Sequence, residues 1–304
     1  MANETKDYVH YHQQVLKAEQ LITKEKFDSA LKVYDGLMQD YDFVFLKEYQ
    51  VAAQLALYLG DTQKAINLIK KGILRGWEWK SIRKNDFFTP LRGEEDWKKL
   101  KKNYRQLHQQ YLSSLNNPLR KRVKKLFSKD QWKAFGALFT FSSKAQDRYA
   151  EKKFAPHSER QLSELRVILR KYGYPGEQLT GNNYWASTIL SHHNSISLEY
   201  GQKDTLYQTI KPELEEALKR GQISPFEMAL IDEWYRTVQQ HKTTYGILNP
   251  PSRNELTATN DLRAKVYMRS IETRNKLIEI QERTGMSFYL EGGPWVDGEI
   301  DVVN

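Results

Sequence analysis

The 304-residue chain contains no cysteine, which excludes disulfides, thiolate metal centres and a catalytic thiol while leaving the compartment open. It has no apolar run near the ~18 residues that a membrane-spanning helix requires. Met1 to Tyr11 is polar, with no apolar core of a signal peptide, so the cytoplasm is the expected location. Also missing are a Walker loop, a His-Glu-x-x-His pair and a serine nucleophile elbow. No motif fixes a reaction, and no cofactor is expected.

What is present describes a folded protein. Hydrophobic residues make up 39%, charged residues 28% and aromatics 12%, a balance unlike that of a disordered chain, and the length suits about two domains. The net charge of +9 is regional: Asp61 to Lys133 holds 20 Lys and Arg against 7 Asp and Glu. The densest cluster is Arg120, Lys121, Arg122, Lys124 and Lys125, just after the turn signal Asn116-Asn117-Pro118. Such a cluster can touch phosphate or an anionic surface. Leu119, Val123 and Leu126/Phe127, however, have helical spacing, so the cations read as the solvated face of an interdomain helix. No nucleic-acid-reading motif accompanies them, and nucleic acid is not expected as a partner.

Faint internal repetition opens the chain. Lys26-Phe27-Asp28-Ser29-Ala30 and Asp61-Thr62-Gln63-Lys64-Ala65 place an alanine at equivalent points 35 residues apart, each after a helix and a short break. Small residues such as Ala18, Ala53 and Ala56 let paired helices approach, while Phe27, Tyr34, Leu37 and Ile69 fill the gaps. Over residues 8 to 75 this resembles a tetratricopeptide repeat. Gln14 stands where that pattern has Trp, and Leu37 and Gly72 replace its usual Ala. Trp77 to Leu115 reads as a degenerate third unit, its tryptophans packing between helices. The expected organisation is a repeat domain at 1–115, a basic linker helix at 116–130, a second helical domain at 131–290 and a tail at 291–304.

The second domain reads as all helical. Gln131 to Tyr149 carries Trp132, Phe135, Phe139 and Phe141, and Ser158 to Tyr172 ends at Gly173 and Pro175. Tyr184 to Leu198 reads as one helix in which Trp185, Ile189, His192 and Ile196 share a face, so that His192 points to the core and His193 lies about 100° away. Short pieces follow at Asp204–Ile210 and Pro212–Arg220. Ser224-Pro225-Phe226-Glu227 is a capped helix start, and Glu233 falls on the apolar face of that helix. Arg263 and Arg269 are further candidates to serve a pocket, although arginine is usually exposed. Ser287–Leu290 and Glu299–Val303, around Asp297-Gly298, suggest a small terminal hairpin.

Gly173-Tyr174-Pro175, the helix end Ile189 to Asn194, Ile231-Asp232-Glu233-Trp234 and Tyr245-Gly246 together resemble an uncharacterised bacterial domain family, often appended to helical repeats. The resemblance covers roughly residues 120 to 290, and His192, Glu233, Tyr245 and Gly246 match the family pattern. Ser191, Asn194, Trp234 and Thr243 depart from its Gln, Asp, Arg and Gln. It implies a polar site but no activity.

These observations lead to an all-α protein: a tetratricopeptide-like repeat domain followed by a second helical domain. The expected role is a scaffold that binds a protein or peptide on its repeat surface, with His192 and Glu233 paired in a polar pocket and Tyr245 at its rim. The alternative is a hydrolase-like enzyme using His192 as base and Glu233 as its orienting carboxylate. A metal held by His192, Glu233 and His241 is conceivable, but the spacing does not require one.

Overall fold

The computed structural model describes residues 7–136, 145, 148–290 and 298–303, and it is 74% helical. In chain order the α-helices are α1 (Tyr8–Thr23), α2 (Phe27–Asp40), α3 (Leu46–Tyr58), α4 (Thr62–Ile73), α5 (Trp79–Lys84), α6 (Glu95–Ser114) and α7 (Asn117–Phe135). They continue with α8 (Ala155–Tyr172), α9 (Glu177–Thr180), α10 (Trp185–Asn194), α11 (Leu198–Lys203), α12 (Leu206–Lys219), α13 (Pro225–Val238), α14 (Leu256–Lys265) and α15 (Ile271–Thr284). Phe139 and Phe141 lie outside the described residues. The chain forms two compact units, Val9–Leu115 with Arg269–Glu291, and Asn116–Met268 with the chain ends Met1–Tyr8 and Gly292–Asn304.

In the first unit the α1–α2 and α3–α4 breaks close alike. Lys26 N donates to Leu21 O and Asp61 N to Ala56 O, both at 2.9 Å, while Glu25 and Gly60 both take positive φ. Ala30 and Ala65 then sit fully buried at the start of each return helix. Glycine adopts such a turn freely, whereas Glu25 carries a steric cost there. At Gly72 the requirement is space: a Cβ would lie 2.7 Å from the Trp77 ring, so the alanine usual in repeat helices does not fit. Trp77 packs edge-on against Phe88 and Tyr289, and Trp79 lies against Trp97.

The expected continuous domain at 131–290 therefore loses its last stretch to this unit. Arg269 makes a two-pronged bond to Glu19 at 2.8 and 2.6 Å, and the buried Gln54 side chain grips both backbone groups of Ser287 at 2.6 and 2.7 Å. Ile271, Leu277, Ile278 and Ile280 are buried along α15. The expected terminal hairpin does not form from Ser287–Leu290, which has no strand and whose Ser287 backbone is already engaged. Val303 instead makes a parallel bridge with Ser252, the one β pairing among the described residues.

The second unit is built around α10, which packs against α7, α8 and α13. Asn116 caps α7 by accepting from Leu119 N at 3.1 Å, and Leu119, Val123 and Leu126 enter the same core as Leu165, Ile189, Leu214 and Ile231. Full burial of each such side chain contributes about 1.5–3 kcal/mol. The segment 116–130 is thus part of a core helix, not a linker. Two helix boundaries also differ from expectation. The helix through His192 ends at Asn194, and Ser197 starts α11 by capping Tyr200 N. Conversely, α12 runs through Pro212, because Tyr207, Ile210, Leu214 and Leu218 bury one continuous face and outweigh the missing proline N–H.

Candidate ligand pocket and its buried carboxylates

The rotation of α10 reverses the expected histidine roles. His193 is the buried imidazole, at 2% exposure, whereas the His192 side chain keeps 31%. With helices on three sides, α10 buries Ala186, Ile189, Leu190 and His193 together, and the stripe through Ile196 ends with the helix. His193 Nδ1 lies 3.0 Å from Ser158 Oγ on α8, and its Nε2 lies 3.2 Å from Asp204 Oδ2. Asp204 also accepts from Leu206 N and Tyr207 N. Burial pushes the Asp204 carboxyl up, but the His193 bond and the backbone bonds outweigh it and hold it below its ordinary value. Serine, histidine and aspartate occur together here as in a hydrolytic triad, yet Ser158 is wholly buried and Asp204 caps the start of α12. They act as a clamp between helices.

His192 and Glu233 do not pair as expected. His192 Nδ1 bonds Asp130 Oδ2 at 2.6 Å, and Asp130 is fully buried on α7. Glu233 instead accepts from the backbone N–H groups of Tyr245, Ile247 and Leu248, so it shapes the loop after α13. Burial raises the Glu233 pKa, and the three backbone amides together with the Arg263 charge only partly oppose the rise. Arg263, also fully buried, donates to Tyr245 O at 2.7 Å, and Arg269 belongs to Glu19. Neither arginine is exposed. His241 is exposed with its ring 5.8 Å from that of Tyr235. Among the described residues no cluster of three or more His, Asp or Glu side chains is placed to hold a metal, so the His192, Glu233 and His241 set is not assembled.

The polar centre lies one residue away, at Asp232. Its fully buried carboxylate receives Lys211 Nζ at 2.7 Å, Arg236 Nε at 2.8 Å, Tyr207 Oη at 2.8 Å and Tyr245 Oη at 3.1 Å. Burial favours the neutral acid, but the Lys211 charge and the bonds from Lys211, Arg236 and Tyr207 prevail, and the pKa falls below its ordinary value. The same carboxylate, together with burial, raises both tyrosine pKa values. Tyr245 is therefore buried between Asp232 and Glu233 rather than standing at a rim. One face of this centre opens into a cavity of about 330 Å³ lined by Lys211, Arg236, Tyr245 and Tyr267, with Leu218, Met228, Leu262 and Val266 as apolar wall.

At the start of α13, Glu227 completes the expected capping box with Ser224 and also accepts from Tyr174 Oη at 3.0 Å. Burial dominates there and raises its pKa to about 8. Of the basic cluster, Arg120 donates to Thr180 O and lies over the Trp185 ring, Arg122 pairs with Glu164 at 2.8 Å, and Lys121, Lys124 and Lys125 are exposed. None of the five lines the Asp232 cavity. The sequence reading missed Asp232, Lys211, Arg236 and Tyr207; the Asp232–Arg236 pair at i,i+4 was the available signal. No protein-family model, curated protein or solved structure matches the chain.

Proposed function

We propose that this is a scaffold protein whose helical-repeat unit binds a protein or peptide and whose second unit binds a ligand in the Asp232 cavity. The observation that carries the ligand site is that Lys211 and Arg236 line the cavity while held on a carboxylate whose strong bonds are already made. The matching turns at Glu25 and Gly60 support a tetratricopeptide-like repeat. Residues 269–290 already engage Glu19, Gln54 and Glu25, and beside them Tyr58 and Leu59 expose large apolar surface at the end of α3 as the expected partner surface. Crosslinking capture with the full chain tests this. A partner held by the wild type and by Lys211→Gln but lost on Tyr58→Asp/Leu59→Asp supports the reading; one that survives the double substitution rejects that surface.

A hydrolase-like alternative rests on the part-exposed His192, whose orienting carboxylate is Asp130 in place of Glu233. Turnover of an ester panel that vanishes in His192→Gln, with stability retained, would favour it over the scaffold.

A further inference from the structure

We infer that the Asp232 cavity takes a small amphipathic monoanion, with a carboxylate or phosphate-ester head and a short apolar body. This rests on the reading of the cavity as a ligand site. The charges around it set the sign. Lys211 and Arg236 together face the single carboxylate of Asp232, leaving one positive charge in excess. Lys219 is paired with Glu216 at 2.7 Å. Glu215 also acts on Lys219, and its formal charge cancels that of Lys265 in the count over the lining. An excess of one cation in a partly enclosed site attracts a monoanion more strongly than the same charge would in open water.

Donors remain for such a head group. An ammonium has three N–H bonds and a guanidinium five. Lys211 gives one bond to Asp232, and Arg236 gives one to Asp232, one to Thr243 O at 3.2 Å and one to Tyr245. Both side chains are partly exposed, at 30% and 22%, and both line the cavity. Asp232 fixes their positions, so little side-chain entropy is lost when an anion binds.

The opposite wall fits an apolar body. Leu218, Leu262 and Val266 lie there with Met228, and the volume is at the small end for ligand sites. Tyr267 also lines the cavity, where its φ of 57° closes the end of α14 and lets Met268 N donate to Arg263 O at 2.9 Å, as Glu25 does at the end of α1.

The test uses the full chain with hexanoate, hexanol and hexylammonium as probes, followed through the methyl NMR signals of Leu218, Met228, Leu262 and Val266. Hexanoate is expected to shift these signals saturably, and hexanol to bind about tenfold more weakly, the loss expected for one charge-assisted contact. Hexylammonium should not bind. Lys211→Gln should weaken hexanoate about tenfold and leave hexanol unchanged, while Leu262→Trp, which fills the cavity from α14, should abolish both. Methyl phenyl phosphate, a phosphodiester monoanion, against phenylacetate then separates the two head groups. Hexanol or hexylammonium binding as well as hexanoate, or hexanoate affinity unaltered in Lys211→Gln, overturns the anion assignment and leaves a ligand site standing. If no probe of any charge moves these methyls, both the assignment and the ligand reading of the cavity fail.

Discussion

Helix α13 carries three buried carboxylates in two kinds of surroundings. On the cavity side Asp232 meets two cations and sits below its ordinary pKa. Glu233 and Glu227 are hydrogen-bonded by backbone amides and hydroxyls, with the Arg263 charge acting on Glu233 as its smallest influence, and both are raised. Hydrogen bonds satisfy oxygen atoms, but they return only part of the solvation energy that an ionised group loses on burial. A full opposite charge at close range returns the rest. The comparison teaches that cavity and loop were built by the same residue type put to different uses.

The largest test of that contrast is Asp232→Ala, which strands Lys211 and Arg236. We expect a loss of about 3 kcal/mol, the low end for a broken buried ion pair because both cations keep some water. Denaturant unfolding measures it, and a loss below about 1 kcal/mol would make the cluster no stronger than a surface pair. Glu233→Gln should cost about 2 kcal/mol, because its one carbonyl oxygen can keep Ile247 N and Leu248 N while the amide NH₂ cannot accept from Tyr245 N. An unchanged unfolding midpoint, with the amide signal of Tyr245 undisturbed, would refute its role as the loop staple.

The pH dependence sharpens the comparison further. The Asp232 pKa is lowered on folding, so its contribution is present above its ordinary value near 3.8 and is lost as pH falls through the folded value. Glu227 runs the other way. Its raised pKa gives stability that is complete below 4.5 and is lost as pH rises through about 8. Wild-type stability should therefore lose about 1 kcal/mol per pH unit from this group between those values, and Glu227→Gln should flatten that slope. Parallel curves for the two proteins would contradict it. The smallest expected effect is that of Tyr245→Phe, about 0.5–1 kcal/mol, since Asp232 retains three other donors. A cost above about 2 kcal/mol would mean that the hydroxyl serves more than this one bond.

Much of the architecture was legible in local sequence because its causes are local. Asn116-Asn117-Pro118 and Ser224-Pro225 start helices through bonds spanning three residues, and Leu119, Val123 and Leu126 mark a buried face by their spacing alone. The 35-residue offset between Ala30 and Ala65 likewise marks where two similar turns fall. The alignment of His192 with Trp185 and Ile189 misled, because a helix packed on three sides has no single buried stripe.

The sequence by itself thus determined an all-helical chain, the helix starts at Asn116 and Ser224 and the absence of any thiol chemistry. Only the tertiary structure decided which imidazole turned inward, that Arg269–Glu291 joined the first unit, and that Lys211 came to rest on Asp232 while Glu233 took the loop amides. Helix formation depends on neighbours within about four residues. The choice of a buried charge's counterpart is made by residues far apart in sequence, Lys211 for Asp232 and Asp130 for His192, once packing has removed water from both.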